Sequence, residues 1–242
     1  MVIKKRGAEN MRYSLEELEK RIGYRFQKKG LLKQALTHSS YSNEQKIRKN
    51  GNYERLEFLG DAVLELLSSE YLYHRYSDMS EGKMTKLRSS IVCEPALAEC
   101  ARKLELGMFM LLGKGEEATG GRLRESIISD VMEALIGAVY LDGGFDAARN
   151  FVEQFIMADS QNRIIFHDSK TILQEMIQTK PGQKLVYELL EESGPDHNKE
   201  FTVQALLNEE RVGFGRGRTK KLAEQQAAYE AILLLKEQGK VE

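Results

Sequence analysis

The sequence predicts a mainly α-helical chain: an all-helical domain over residues 11–158, a linker at 159–167, and a small α-β-β-β-α (α+β) domain over 168–238. Three observations carry this reading. Apolar residues recur at helical spacing almost without interruption up to Met157. Asp159–Ser169 then shows no strong period. Beyond it, strand-like runs stand between two helical stretches, in a segment too small to be anything but a separate domain.

In the first domain the helical spacing falls at Leu15–Ile22, Leu31–Leu36, Glu54–Tyr73, Lys83–Leu104, Ser126–Leu141 and Phe145–Met157. The connectors carry turn chemistry at Lys28-Lys29-Gly30, Asn50-Gly51-Asn52 and Gly113 through Gly121, with Thr119-Gly120-Gly121 expected as a mobile tip. In the second domain a helix at Thr171–Gln178 is stopped by Pro181-Gly182. Strands at Leu185–Glu191 and Phe201–Asn208 are joined through Glu192-Ser193-Gly194-Pro195-Asp196, and Arg211–Gly215 fits a third strand. An Ala- and Leu-rich helix at Lys221–Lys236 closes the chain. The glycines of Gly213–Gly217 also suit an ordinary loop; there is no Gly-x-x-x-x-Gly-Lys-Ser/Thr phosphate cradle.

Composition narrows the function classes. The 242 residues are 41% hydrophobic and 30% charged, ordinary values for a soluble globular protein. No stretch approaches the ~20 apolar residues of a membrane span. The basic start, Met1-Val2-Ile3-Lys4-Lys5-Arg6, has no apolar core behind it and is not expected to be a secretory signal. Cys93 and Cys100 share a helical stretch and read as free thiols in a reducing cytoplasm, so a cytoplasmic protein with no membrane partner is expected. A net charge of −1 means that any attraction for nucleic acid must be local.

Two acidic stripes carry the candidate chemistry. Glu54, Glu57 and Asp61 are spaced i, i+3 and i+7, within about 60° of one another on a helix face. Leu56, Leu59, Val63 and Leu67 form the opposite, core-facing stripe, and Phe58 and Leu64 border the acids. A half-buried seam of like charges repels itself unless a cation sits in it. Glu65 lies on the same stripe and reads as a surface residue. The second stripe is Asp130 and Glu133, on a face shared with Ala134 and Gly137, while Ile128, Met132, Leu135 and Val139 point away. Such small neighbours admit either a second helix or a phosphate backbone. His38, His74, His167 and His197 show no ligand spacing, so an all-carboxylate site would select Mg²⁺ or Mn²⁺ over zinc. Two such ions can activate a water and stabilise the leaving oxygen of a phosphodiester.

The run Glu54-Arg55-Leu56-Glu57-Phe58-Leu59-Gly60-Asp61 resembles the signature of bacterial ribonuclease III. Ala35–Ser39, Glu81–Arg88 and Gly120–Gly137 resemble further blocks of that family in the same order, so the likeness spans residues 12–238. The resemblance implies a metal-dependent endoribonuclease that cuts double-stranded RNA in ribosomal and messenger RNA processing, leaving 5′-phosphates and short 3′ overhangs. It implies Mg²⁺, with Mn²⁺ as a substitute, and no small-molecule cofactor. It makes Glu57, Asp130 and Glu133 metal ligands, places Asp61 and Glu133 closest to the chemistry, where they orient the attacking water, and gives Glu54 and Glu81 supporting roles. It further implies a homodimer with one site per subunit; Phe58 then belongs either to the dimer contact or to the core.

The C-terminal segment resembles a double-stranded RNA-binding domain, through Asp168–Glu175, Gly194–Phe201 and Gly215–Ala228. The cations Arg211, Arg216, Arg218, Lys220 and Lys221 lead into a helix N-terminus, which offers backbone N–H groups to phosphate. A-form RNA is read through shape, 2′-hydroxyls and phosphates. The resemblance places Gln174 and Glu175 at one minor groove, His197 at the next, and Lys220 and Lys221 on the phosphates between. Glu224 departs from the family, which often has a basic residue there. A double-stranded RNA-binding protein that does not cut is the alternative, but every acidic position of the family is present. A carboxylate-bridged metal enzyme in a helical bundle is a third reading; it lacks the Glu-x-x-His pairs of such sites and leaves the second domain unexplained.

Overall fold

The structure is a computed structural model that describes residues 13–47, 51–158, 166, 169–178, 182–195 and 199–238. The chain divides into two compact units, Met1–Asp159 and Ser160–Glu242.

The first unit is helical. It begins with α1 (Leu15–Ile22), capped by the Ser14 hydroxyl and stopped by Gly23 in the left-handed region. Then come α2 (Lys29–Ala35), α3 (Ser39–Glu44), α4 (Glu54–Arg75), α5 (Glu81–Ile91), α6 (Glu94–Lys103), α7 (Lys114–Ala118) and α8 (Glu125–Val152), which is kinked at Gly144, where the backbone is non-helical with φ 80°. A five-residue π turn, Glu153–Met157, follows α8. Most of α8 is buried between Ile127 and Val139, so it is the central post of the unit. Its broadest contact is with α4. Gly60 of α4 and Gly137 of α8 make that closeness possible: a methyl group built on Gly60 would overlap the Glu133 carbonyl, and one on Gly137 the Leu56 carbonyl. The small face around Ala134 and Gly137 therefore admits a second helix.

Three features differ from the sequence expectation. The single helix expected over Lys83–Leu104 is two, broken at Val92 and Cys93, because Pro95 has no N–H to donate and is accommodated only in the first turn of α6. The short helix α3 has no apolar period to announce it; the His38 ring caps it by accepting from the Ser40 N–H. The tip expected to be mobile is pinned. The buried Arg122 donates to the carbonyls of Gly107 and Met110 at 2.7 and 2.8 Å and pairs with Glu117.

In the second unit, α9 (Ser169–Gln178) and α10 (Lys220–Glu237) pack together, and α10 covers the sheet of β1 (Leu185–Ser193), β2 (Glu200–Leu207) and β3 (Glu210–Gly217). The sheet is antiparallel in the order β1-β2-β3, with Leu185 opposite Leu207 and Phe201 opposite Gly217. Asn208 and Glu209, both at positive φ, form the two-residue turn between β2 and β3, the conformation that matches strand twist. The core is Leu173, Ile177, Val203, Ala205, Ile232 and Leu235 around the alanines of α10. The Gly213–Gly217 stretch is strand and not loop. A methyl group on Gly213 or Gly215 would strike the carbonyl of Ala227 or Ala223, so these glycines let α10 lie directly on β3. Most of 159–167 lies outside the described residues; Phe166, read as linker, is helical and stacks edge-on against Tyr229 at 5.6 Å.

Candidate active site

The acidic stripes of α4 and α8 meet where the two helices touch. Glu57 is half-buried, Glu54 and Asp61 are exposed, and Asp130 and Glu133 face them half-buried from α8. Leu56, Val63 and Leu67 hold the other side of α4 in the core as expected, and Leu64 is buried with them. Phe58 is 80% exposed and so is not core.

The electrostatics ties the stripes into one group. Burial, and then the charges of Asp130, Glu54 and Asp61, pushes Glu57 up to about 7. Burial, followed by Asp61, Glu57, Asp130 and Glu65, pushes Glu133 up to about 8. Asp130 is also raised, by burial first; a hydrogen bond from the Tyr53 hydroxyl opposes the rise. The ionised carboxylates therefore destabilise one another, a condition that a divalent cation relieves. The donor set is all oxygen, which suits Mg²⁺ or Mn²⁺. The side chains do not form a ready-made cage: among the described residues no three His, Cys, Asp or Glu are gathered closely enough to hold a metal ion. A cation would have to draw them together.

Glu81 stands apart from this group. It opens α5, accepts from the Thr85 hydroxyl at 2.8 Å, and lines a groove with Leu66, Tyr73, Met84 and Arg88. Glu65, read as a plain surface residue, forms an ion pair with Arg88 at 2.8 Å. Sequence reasoning missed Tyr53 and His38. The Tyr53 hydroxyl donates to Asp130 Oδ2 at 3.3 Å, and the Tyr53 and His38 rings lie 5.7 Å apart. Tyr53 immediately precedes the acidic motif and His38 sits in an earlier block, but neither has a spacing that marks it.

In the second unit, Gln174 and Glu175 are exposed on α9, and Lys220 and Lys221 are exposed at the start of α10. The Thr219 hydroxyl caps that helix by accepting from the Leu222 N–H. Glu224 is paired with Lys170 of α9 at 2.6 Å, an internal use for the one position that departs from a basic pattern. His197 lies outside the described residues.

A helical unit in which two acidic stripes meet, followed by an α-β-β-β-α unit with a cationic helix start, defines the class: a nuclease joined to a double-stranded RNA-binding module. Residues 28–160 match the ribonuclease-III-like family model, and residues 169–235 match the double-stranded RNA binding motif. Ribonuclease 3 of Caldanaerobacter subterraneus subsp. tengcongensis is 52% identical over 90% of this chain and 96% of its own length. Ribonuclease 3 of Geobacillus sp. (strain WCH70) is 50% identical over 98% of this chain and 97% of its own. Among solved structures, the nuclease domain of ribonuclease III from Campylobacter jejuni, described with a flexible region involved in dimer formation, matches with a TM-score of 0.56 at 43% identity, over 60% of this chain and 97% of that one. The chain belongs to the ribonuclease III family, the metal-dependent endoribonucleases of double-stranded RNA.

Proposed function

We propose that residues 11–158 are the nuclease domain, joined by a linker at 159–167 to an RNA-binding domain at 168–238, and that Glu57, Asp130 and Glu133 hold Mg²⁺, with Mn²⁺ as a substitute. The observation that carries the proposal is the convergence of these carboxylates with Asp61 across the contact of α4 and α8, where burial first, and then the charges of Asp130 and Asp61 among others, raise Glu57, and burial followed by Asp61, Glu57 and Asp130 raises Glu133. When bound, the cation neutralises the carboxylates, lowers the pKa of water and stabilises charge on the phosphate. Asp61 and Glu133 stand nearest the scissile bond and orient the attacking water in line with the leaving 3′ oxygen. The products carry 5′-phosphates and short 3′ overhangs. Glu54 supports the metal site. Glu81, away from the group, supports the RNA contacts.

Gln174 and Glu175 take one minor groove, His197 the next, and Lys220 and Lys221 the phosphates between, a footprint of about 16 base pairs for a domain of this kind. Cutting both strands calls for a homodimer. Phe58 (80% exposed), Leu66 (57%) and Tyr73 (68%) are the apolar surface of α4 available for that contact. A sedimentation mass of one chain at micromolar concentration would count against it. The cellular setting is cytoplasmic processing of ribosomal and messenger RNA.

The test is incubation with a long RNA duplex, with and without Mg²⁺. The intact protein cuts only with metal. Glu133→Gln abolishes cleavage and leaves duplex binding nearly unchanged. Cleavage retained by Glu133→Gln removes the ligand role; binding without cleavage by the intact protein at saturating Mg²⁺ restores the binding-only reading.

A further inference from the structure

We infer that Tyr53 is a positioning residue for the metal site: its hydroxyl holds the Asp130 carboxylate in the orientation from which the opposite oxygen meets the cation. The inference rests on the all-carboxylate metal site proposed above. It starts from where Tyr53 sits. The residue is 4% exposed and immediately precedes α4. Its carbonyl accepts from the N–H groups of Leu56 and Glu57 at 2.8 and 2.9 Å, and its own N–H donates to the Thr37 carbonyl at 2.9 Å. The backbone is thereby fixed on both sides. The ring is backed by His38, whose own ring is held by Ser40. The phenol is thus a donor on a rigid arm, anchored to the helix that carries Glu54, Glu57 and Asp61, and it crosses to α8.

At the other end, Asp130 has little else to fix it. Among the described residues no other side chain donates to it and no Lys or Arg pairs with it. The dependence is mutual. A buried hydroxyl without an acceptor costs roughly 1–3 kcal/mol, so the phenol is itself tied to Asp130. The bond occupies Oδ2 and leaves Oδ1 open. Groups that hydrogen-bond to a ligating carboxylate set its angle toward the metal, and removing them typically weakens metal binding by about 10–100-fold. At 3.3 Å this is a long, single bond from a neutral donor, so the low end of that range is expected.

The experiment uses the full chain. Mn²⁺ binding is followed by the loss of the free-ion resonance in electron paramagnetic spectra, for the unaltered protein, Tyr53→Phe, Asp130→Ala, the double variant and Glu133→Gln. Tyr53→Phe is expected to bind Mn²⁺ about tenfold more weakly, and to need correspondingly more Mg²⁺ for half-maximal cleavage, with the rate at saturating Mg²⁺ and duplex affinity nearly unchanged. In the Asp130→Ala background, Tyr53→Phe should have no further effect on Mn²⁺ affinity. Equal affinity in Tyr53→Phe and the unaltered protein overturns the inference. So does an equal loss in both backgrounds, which would mark a merely structural role. Absence of Mn²⁺ binding by the unaltered protein, or unaltered binding by Glu133→Gln, would instead overturn the site on which it rests. A second measurement needs no variant. In protein labelled with ¹³C at the tyrosine ζ carbon, the Tyr53 resonance should move with Mg²⁺ along the same titration curve as metal binding. A Tyr53 resonance indifferent to Mg²⁺ overturns the inference even if Tyr53→Phe does not fold.

Discussion

The carbonyl of Glu133 lies against the bare Cα of Gly60, so the residue expected to hold the metal also packs, through its backbone, on the helix that bears the opposing acids. No side chain fits between them. Gly60→Ala must push α4 and α8 apart where the carboxylates meet. Overpacking of this kind costs about 1–3 kcal/mol. The expected result is a melting temperature lowered by several degrees together with a higher Mg²⁺ concentration needed for half-maximal cleavage. An unchanged melt would mean that the helices have slack.

The raised carboxyls of Glu57 and Glu133 make metal-free stability depend on pH with a definite sign. Unfolded, each titrates near 4.5; folded, near 7 and 8. Between these values the folded chain binds more protons than the unfolded one, so stability falls as pH rises across that window. His38 acts oppositely: burial lowers it, and its contribution makes stability rise through the usual histidine range. Thermal melts in chelator from pH 5 to 9 should show the net decline above pH 6.5. Glu133→Gln should flatten it, and Mg²⁺ should restore stability most at the alkaline end. The same slope in Glu133→Gln would mean that Glu133 titrates normally.

Asp142 illustrates the opposite case. It accepts from the Tyr24 hydroxyl and from the backbone N–H groups of Gln27 and Lys28, all at 2.8–2.9 Å, and so ties the start of α2 to α8. Burial works to raise it, but these donors prevail and hold it below the ordinary aspartate value. Asp142→Ala removes an acceptor whose backbone donors are open to water, and should cost about 1 kcal/mol near neutral pH. A group held low contributes stability above its unfolded pKa and loses it as pH falls through the folded one. The gap between the two proteins in chemical denaturation should therefore narrow in acid; a constant gap would sink the assignment.

Lys220 and Lys221 can be tested through salt. Replacing both with Ala should weaken binding to every duplex alike, by tenfold or more, and lower the slope of log affinity against log salt by about one per lysine. An unchanged slope would show that these lysines face solvent only.

The acidic stripe of α4 was legible in the sequence because its members are separated by whole helical turns, so local geometry alone aligns Glu54, Glu57 and Asp61. Their meeting with Asp130 and Glu133 was not, since it depends on Gly60 and Gly137 facing each other across 77 positions. Only the family likeness joined the stripes beforehand. Tyr53 escaped because a side chain that reaches across to another helix leaves no period. The Gly213–Gly217 segment was ambiguous for a related reason. Glycine lowers strand propensity, and what favours the strand there is the alanine face of α10, which local sequence does not reveal. Pro95 was a legible break whose signal was outweighed by the apolar period around it.

Those glycines carry one more consequence. Because α10 rests directly on β3, the two residues between them, Arg218 and Thr219, leave little freedom to the start of the helix. Arg216, Lys220 and Lys221 are thus held on one fixed backbone edge when no RNA is present. Whatever entropy the anchoring of that edge requires has been lost in folding. A duplex then meets an array whose spacing is already set, and affinity is not reduced by ordering the main chain on contact. A flexible tail with the same charges would attract RNA as strongly at a distance, but it would have no means of measuring the width of its groove.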